Sequence, residues 1–387
     1  MKRLLFLICR FLDGGIDTVM VEYLNNLTAL TNHHVTLAIT TAMGKKLEVY
    51  RSRLDPRIEV VYLVDKHWLT WYKQRVFLKG RNALMGAYDE LMLNQLRRRL
   101  AQRRLNTLVK DYDVVIDFDS CHSSFMRKEW TAKKIAFFHF SFQKELERVP
   151  RRIRRFRQKI ERYDHVVTIS QVMQEEACRL FPEAAGKFVH IYNSLNPQKL
   201  QQKAEADIDA VQPFFVCVER LEESQKDITT LLQAYRLLTD SMGSDTPHLY
   251  IIGKGKDREL LKQTACELAI EKKTTFLGFL SNPYPWIRQA LAVVHSAKFE
   301  GLPTALIEAL LLDKLIIATD CPTGPREILG QGKAGILVPV GDAEALAKGM
   351  EQLAIDGELR SRLQQGISEQ RRLFMPEKCI EQFEQLL

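Results

Sequence analysis

One stretch restricts the possible folds of this chain more than any other. Ala290 to Val294 is a short apolar run, a polar loop follows, a helical pattern begins near Pro303, and Leu315-Ile-Ile-Ala-Thr319 is a second apolar run. A strand, a helix and a strand in so short a span make a βαβ unit, whose crossover forces parallel pairing and a sheet buried on both faces. The alternation recurs. Strands are expected at about Leu4 to Cys9, Val35 to Ile39, Ile58 to Leu63, Val114 to Phe118, Lys134 to His139, Tyr163 to Ser170, Val189 to Asn193, Pro213 to Val218 and His248 to Gly253. Helical spacing lies between them, at Val19, Leu24, Leu27 and Leu30, over a long cationic region from Gln74 to Lys110, and over Asp257 to Ala269. Such a pattern predicts an α/β chain with parallel sheets.

The loop and helix inside the first unit hold two carboxylates, Glu300 and Glu308. Pro303 suits the first turn of a helix, where its missing N–H is no loss, and the turn leaves free backbone N–H groups at the carboxyl edge of a sheet. Such a start attracts an anionic or polyhydroxylated ligand. Read alone, two Glu at this spacing are also what a solvated helix carries, one of them balancing its dipole.

The surrounding residues narrow the choice. Glu300-Gly-Leu-Pro-Thr-Ala-Leu-Ile-Glu308-Ala, followed by a buried strand and Asp320-Cys-Pro-Thr-Gly-Pro-Arg-Glu-Ile-Leu329, resembles the E-x7-E signature of retaining GT-B glycosyltransferases of family 4. The continuation is similar to the subgroup that builds bacterial lipopolysaccharide and surface polysaccharide. The resemblance implies two Rossmann-like domains facing each other across a cleft. The expected division is 1–196 for an acceptor-binding domain, a polar linker at 197–212, and 213–373 for the domain that binds the nucleotide sugar. A C-terminal helix at about 374–387 is expected to pack back on the first domain.

Other residues take roles through the same resemblance. Glu308 would bond the ribose hydroxyls, and Glu300 would contact the sugar and face the reacting centre. Arg220 and Lys226, in Glu219-Arg-Leu-Glu-Glu-Ser-Gln-Lys226, match the family's diphosphate-binding "RL…K" pattern, although Glu219 stands where Gly is common and the spacing is one residue longer. Arg offers a bidentate fork to phosphate and Lys a mobile point charge. The turn Gly301, Leu302, Pro303 and Thr304 belongs to the same subsite through its N–H groups. Gly14 and Gly15 match the Gly-rich loop near the donor phosphates. Gly253 and Gly255 match the turn bordering the nucleotide, Thr275 to Leu280 the element flanking the base, and Gly335 to Pro339 the last strand. His139, at the end of its strand, is either a core histidine or a substrate contact, and the resemblance favours the contact. Together Glu300, His139, Arg220 and Lys226 form the expected catalytic set.

Composition sets bounds. The 387 residues suffice for two cores, and 46% hydrophobic with 27% charged residues is globular. Seven cysteines without CxxC pairing fit a reducing compartment. Met1 to Cys9 reads as a first strand and not as a signal peptide, and no run approaches a membrane span. The net charge of +8 is split, with 35 Lys and Arg against 21 Asp and Glu in residues 1–200 and 21 against 27 beyond. A peripheral place on the inner face of the cytoplasmic membrane is therefore expected, with an anionic, lipid-linked acceptor meeting the basic N-terminal domain. The segment from Lys144 to Ile160 holds eight cations around the apolar stripe Val149, Ile153, Phe156 and Ile160. It either lies on a bilayer or packs its stripe on its own sheet.

No DxD follows a strand of the second domain, and cations stand where a metal would, so neither a metal nor a cofactor is expected; the UDP-sugar is a substrate. Nucleic acid is not expected as a partner. The alternatives are a GT-B UDP-sugar epimerase and a non-catalytic sugar-nucleotide-binding protein.

Overall fold

A computed structural model describes residues 1–12, 15–44, 47–79 and 83–387. It divides into two compact units. One is built from Met1–Ser194 together with Cys379–Leu387, the other from Leu195–Lys378.

The first unit holds a seven-stranded parallel sheet of β1 (Arg3–Ile8), β2 (His34–Thr41), β3 (Glu59–Val64), β4 (Val114–Asp117), β5 (Lys133–Phe138), β6 (His165–Thr168) and β7 (Phe188–His190). Their order is β3-β2-β1-β4-β5-β6-β7. The second unit has β8 (Phe214–Val218), β9 (His248–Ile252), β10 (Thr274–Gly278), β11 (Ala292–His295), β12 (Leu315–Thr319) and β13 (Ile336–Val338), in the order β10-β9-β8-β11-β12-β13. Central strands such as β12 are buried at every residue, as unbroken Val, Ile and Leu runs require when helices cover both faces. In both sheets the chain order reverses beside the first strand. That places a switch point between β1 and β4 in one unit and between β8 and β11 in the other, where such sheets open a crevice at the carboxyl ends of the strands.

The structure sharpens three expectations. The 197–212 stretch is not a plain linker, because Pro197–Lys203 is a helix capped by the Asn196 side chain with Leu200 buried, and it belongs to the second unit. The cationic region is helical, in several segments. It comprises His67–Lys79, Ala83–Tyr88, a wider turn over Asp89–Leu93, and Asn94–Leu108. The wide turn tucks Asp89 inward, where it pairs with Lys73 at 2.9 Å and with Arg97. Finally, the apolar stripe of 144–160 packs inward: Phe156 and Ile160 lie in the core of the first unit, Phe156 edge-on to Phe142 at 5.3 Å. No bilayer can receive those side chains.

Candidate functional site

The second unit's switch point puts the ends of β8 and β11 side by side, through the pairs Ala292 with Phe215 and Val293 with Val216. Glu219 follows β8 directly and His295 ends β11, so the topology alone makes these two residues neighbours. Their loops are stitched together. The Lys298 N–H donates to the Gln225 carbonyl at 2.8 Å, the Ser296 hydroxyl to the Lys226 carbonyl at 2.9 Å, and the Lys298 ammonium meets Asp227 at 3.0 Å.

Lys226 is thereby swung back over the sheet edge. Its Nζ lies 2.5 Å from Glu219 Oε2 and donates to Glu300 Oε1. Both carboxylates are nearly inaccessible, at 5% and 9% side-chain exposure, and Lys226 is at 13%. His295, at 1%, stands 3.1 Å from Glu219 and 3.4 Å from Glu300, with neither ring nitrogen in a well-directed hydrogen bond. Burial opposes the charge on Lys226, but Glu219 and then Glu300 outweigh it and hold its pKa above the ordinary lysine value. Burial likewise opposes the charge of Glu300, and His295 and Lys226 overcome it, so this carboxylate stays ionised below the usual range.

The Glu300 backbone is fixed as well, since the Thr323 hydroxyl donates to its carbonyl. Beyond it, helix Thr304–Leu311 begins after Pro303 with no side-chain cap. The helix after β8 differs: the Glu223 carboxylate accepts from Ile228 N at 3.0 Å and Thr229 N at 3.1 Å. An anion arriving at this edge therefore finds the second helix start occupied by a carboxylate and the first without one. Glu308 sits one turn into helix Thr304–Leu311, where the Tyr284 hydroxyl donates to it at 3.2 Å.

Of the residues expected to act, Lys226 and Glu300 are in direct contact. Arg220 stands at the surface, 67% exposed, 3.7 Å from Glu222. Gly253 and Gly255 make room for protein backbone. A Cβ at Gly253 would lie 1.7 Å from the Glu219 carbonyl, and one at Gly255 would lie 2.0 Å from the Leu221 carbonyl. They let β9 press against the Glu219–Leu221 turn, where Glu219 N–H donates to Ile252 and Leu221 N–H to Lys254, each at 3.0 Å. Gly15 opens helix Gly15–Leu30 with nothing within 4 Å of where its Cβ would be. Gly14 lies outside the described residues.

In the first unit His139 follows β5, half-buried, and its Nε2–H donates to the Phe118 carbonyl at 2.8 Å. That bond leaves Nδ1 as the acceptor. Burial depresses its pKa to about 4, against smaller opposing effects of the Phe118 carbonyl and Asp119. It is a neutral imidazole at neutral pH. Nearby, buried His122 faces Asp117 at 3.0 Å and Asp119 at 3.3 Å, and its Nε2 meets the Thr40 hydroxyl at 2.6 Å. Sequence reading missed His122, Glu219 as a partner, and His295. The available signal was position, since each stands at or just after a strand end flanking a switch point.

Among the described residues, Glu219, His295 and Glu300 bring ligand-type atoms within 4.8 Å of one another, as do Asp117, Asp119 and His122. In the first set the Lys226 ammonium already bridges the carboxylates. In the second, Asp117 is engaged by His122 and by the Tyr163 hydroxyl at 2.5 Å, and Asp119 by the Cys9 N–H at 2.7 Å.

Two doubly wound parallel sheets, with a charged cluster at the switch point of the second, define a protein of the GT-B type. The model described as Glycosyltransferase Family 4 matches residues 13–199, and the one described as Glycosyl transferases group 1 matches 198–370. The chain belongs to the GT-B, family 4-like glycosyltransferases. It is 30% identical over 198 residues to the N-acetylgalactosamine-N,N'-diacetylbacillosaminyl-diphospho-undecaprenol 4-alpha-N-acetylgalactosaminyltransferase of Campylobacter jejuni, a match covering 51% of this chain and 52% of that one. The chain thus spans about half the length of that relative. Among solved structures, a lipopolysaccharide outer core galactosyltransferase, WaaB, superposes with a TM-score of 0.69 at 19% identity, over 100% of this chain and 99% of the other. HepE of Anabaena, solved with UDP, gives 0.72 at 15% identity over 100% and 99%.

Proposed function

We propose that the protein transfers a hexose or N-acetylhexosamine, with retention, from a UDP-sugar to a lipid-linked saccharide in bacterial lipopolysaccharide or surface-polysaccharide synthesis. One observation carries the reading: Lys226 and Glu300 converge at the switch point beside a helix start without a side-chain cap. In this reading the uncapped N–H groups and Arg220 hold the diphosphate, Glu308 holds the ribose, and Glu300 aligns the sugar hydroxyls. The bond from the sugar's C1 to the diphosphate oxygen breaks as the acceptor oxygen attacks C1 from the same face, and the acceptor proton passes to the departing diphosphate. Fixed cations and backbone dipoles stabilise the charge that develops there, without a divalent metal.

The first domain would meet the acceptor, with neutral His139 at its ligand edge. Its contact with an anionic bilayer is drawn from the helical segments of 67–79 and 83–108, in place of 144–160. Trp68, Trp71, Tyr88, Leu91 and Met92 are all exposed there. They lie among the exposed cations Lys66, Arg75, Arg99 and Arg103. Aromatic side chains with cations suit a headgroup interface. No helix among the described residues is long and apolar enough to cross a membrane.

Thermal-shift screening across UDP, GDP and ADP sugars tests the donor. Stabilisation by UDP is expected, with loss of transfer in Glu300→Ala while its melting profile is retained. Epimerisation of UDP-N-acetylglucosamine without transfer, or binding without turnover, would replace the reading with the corresponding alternative.

A further inference from the structure

We propose that Glu219 is a positioning residue: it shares Lys226 with Glu300, holding Glu300 in place for the sugar while weakening the pull of Lys226 on the donor's diphosphate. The inference rests on the functional reading above and departs from its family pattern, in which the lysine is a phosphate ligand and the Glu219 position is commonly Gly.

The charge balance is the starting point. One ammonium faces two carboxylates, Glu219 at 2.5 Å and Glu300 in direct contact, all three largely shielded from water. An incoming diphosphate brings further negative charge to a cation that already has two anionic partners. Lys226 therefore pulls on the phosphates less than an ammonium with one anionic partner would, and it clamps the two carboxylates. Arg220, 67% exposed and 3.7 Å from its nearest carboxylate, is the cation free to swing onto the phosphates. The two basic residues divide the work that the family pattern assigns to both.

Geometry supports the clamp. Glu219 is held through its own backbone, since its N–H donates to Ile252 at 3.0 Å and its carbonyl lies against Gly253, where no Cβ fits. The root of its side chain is therefore fixed at the strand end beside Lys226. His295 adds a second restraint, because its Nε2 lies closer to Glu219 than to Glu300, at 3.1 against 3.4 Å. Glu219 and Glu300 thus share both Lys226 and His295.

The test uses the full chain as wild type, Glu219→Gln, Glu219→Asp and Arg220→Ala, with UDP binding by calorimetry and transfer by steady-state kinetics. Glu219→Gln removes charge but not volume. It should bind UDP about three- to tenfold more tightly, because Lys226 is released toward the phosphates. Its kcat should fall about tenfold or more, because Glu300 loses its registration. Glu219→Asp, which keeps the charge, should retain the wild-type affinity for UDP. Arg220→Ala should lose UDP affinity. A purely structural role for Glu219 would lower affinity, kcat and melting temperature together, and that result overturns the proposal. So does a Glu219→Gln enzyme with wild-type affinity and kcat. A wild type that binds no UDP, GDP or ADP would instead overturn the functional reading beneath it.

Discussion

His139 ties a single side chain to a pH effect with a definite sign. Its folded pKa of about 4 lies below the ordinary value of about 6.5. Between those values the unfolded chain holds a proton that the folded one does not. Stability is therefore complete above about pH 6.5 and is lost as the pH falls toward 4, by roughly 2 kcal/mol for a half-buried group. Urea titrations at pH 4.5 and 7.5 should show this loss, and His139→Gln should lack it. Lys226 and Glu300 could each be singled out in the sequence because each stands in an ordered local motif, and the structure brings the two into contact. The partnership of Glu219 with His295 was not, because their contact depends on β8 and β11 being neighbours, and strand order is written in no local run of residues.

At the level of elements, strands read well where burial on both faces demands unbroken apolar runs; β12 was expected at Leu315 to Thr319, and that is where it lies. Segments decided by side-chain pairing read poorly. Asp89 turns inward between Lys73 and Arg97, at a wider turn that helical spacing within the cationic region does not mark. The packing role of the Gly253 turn could not be read, because a glycine beside a nucleotide and a glycine beside a carbonyl look alike in sequence. Gly253→Ala should displace the Glu219–Leu221 turn at a cost of about 2 kcal/mol or more, lowering the melting temperature and UDP affinity together. The helical segments of 67–79 and 83–108 offer a separate test. Brominated anionic vesicles should quench the fluorescence of Trp68 and Trp71, and Trp68→Phe with Trp71→Phe should remove most of that quenching. Vesicles without anionic lipid should have little effect, and equal quenching by both kinds would count against the charge argument.

Across the molecule, parallel sheets followed from alternation alone, whereas the return of the last residues to the first unit was expected only through the family resemblance, and Cys379–Leu387 does belong to that unit. Phe383 packs against Phe6, Tyr23 and Phe137 at 5.6 to 6.2 Å. Lys2 and Lys133 donate to the final carbonyls, Lys2 to Leu387 at 2.6 Å and Lys133 to Leu386 and Leu387 at 3.1 Å. Phe383→Ala should cost about 3 to 4 kcal/mol in the first unit's unfolding, followed by near-UV circular dichroism, and leave the second unit's transition in place. The basic excess falls in the first half of the chain and the acidic excess in the second, the asymmetry on which the proposed function draws.

The first unit is thus discontinuous, and this has a consequence for its birth on the ribosome. Translation delivers β1 to β7 early, yet Phe383 emerges only after every residue from Leu195 to Lys378 has been made. Throughout that interval the pocket around Tyr23 stands open to water. The nascent first unit must therefore wait, incompletely packed and within reach of chaperones and proteases, until the second unit has been synthesised behind it.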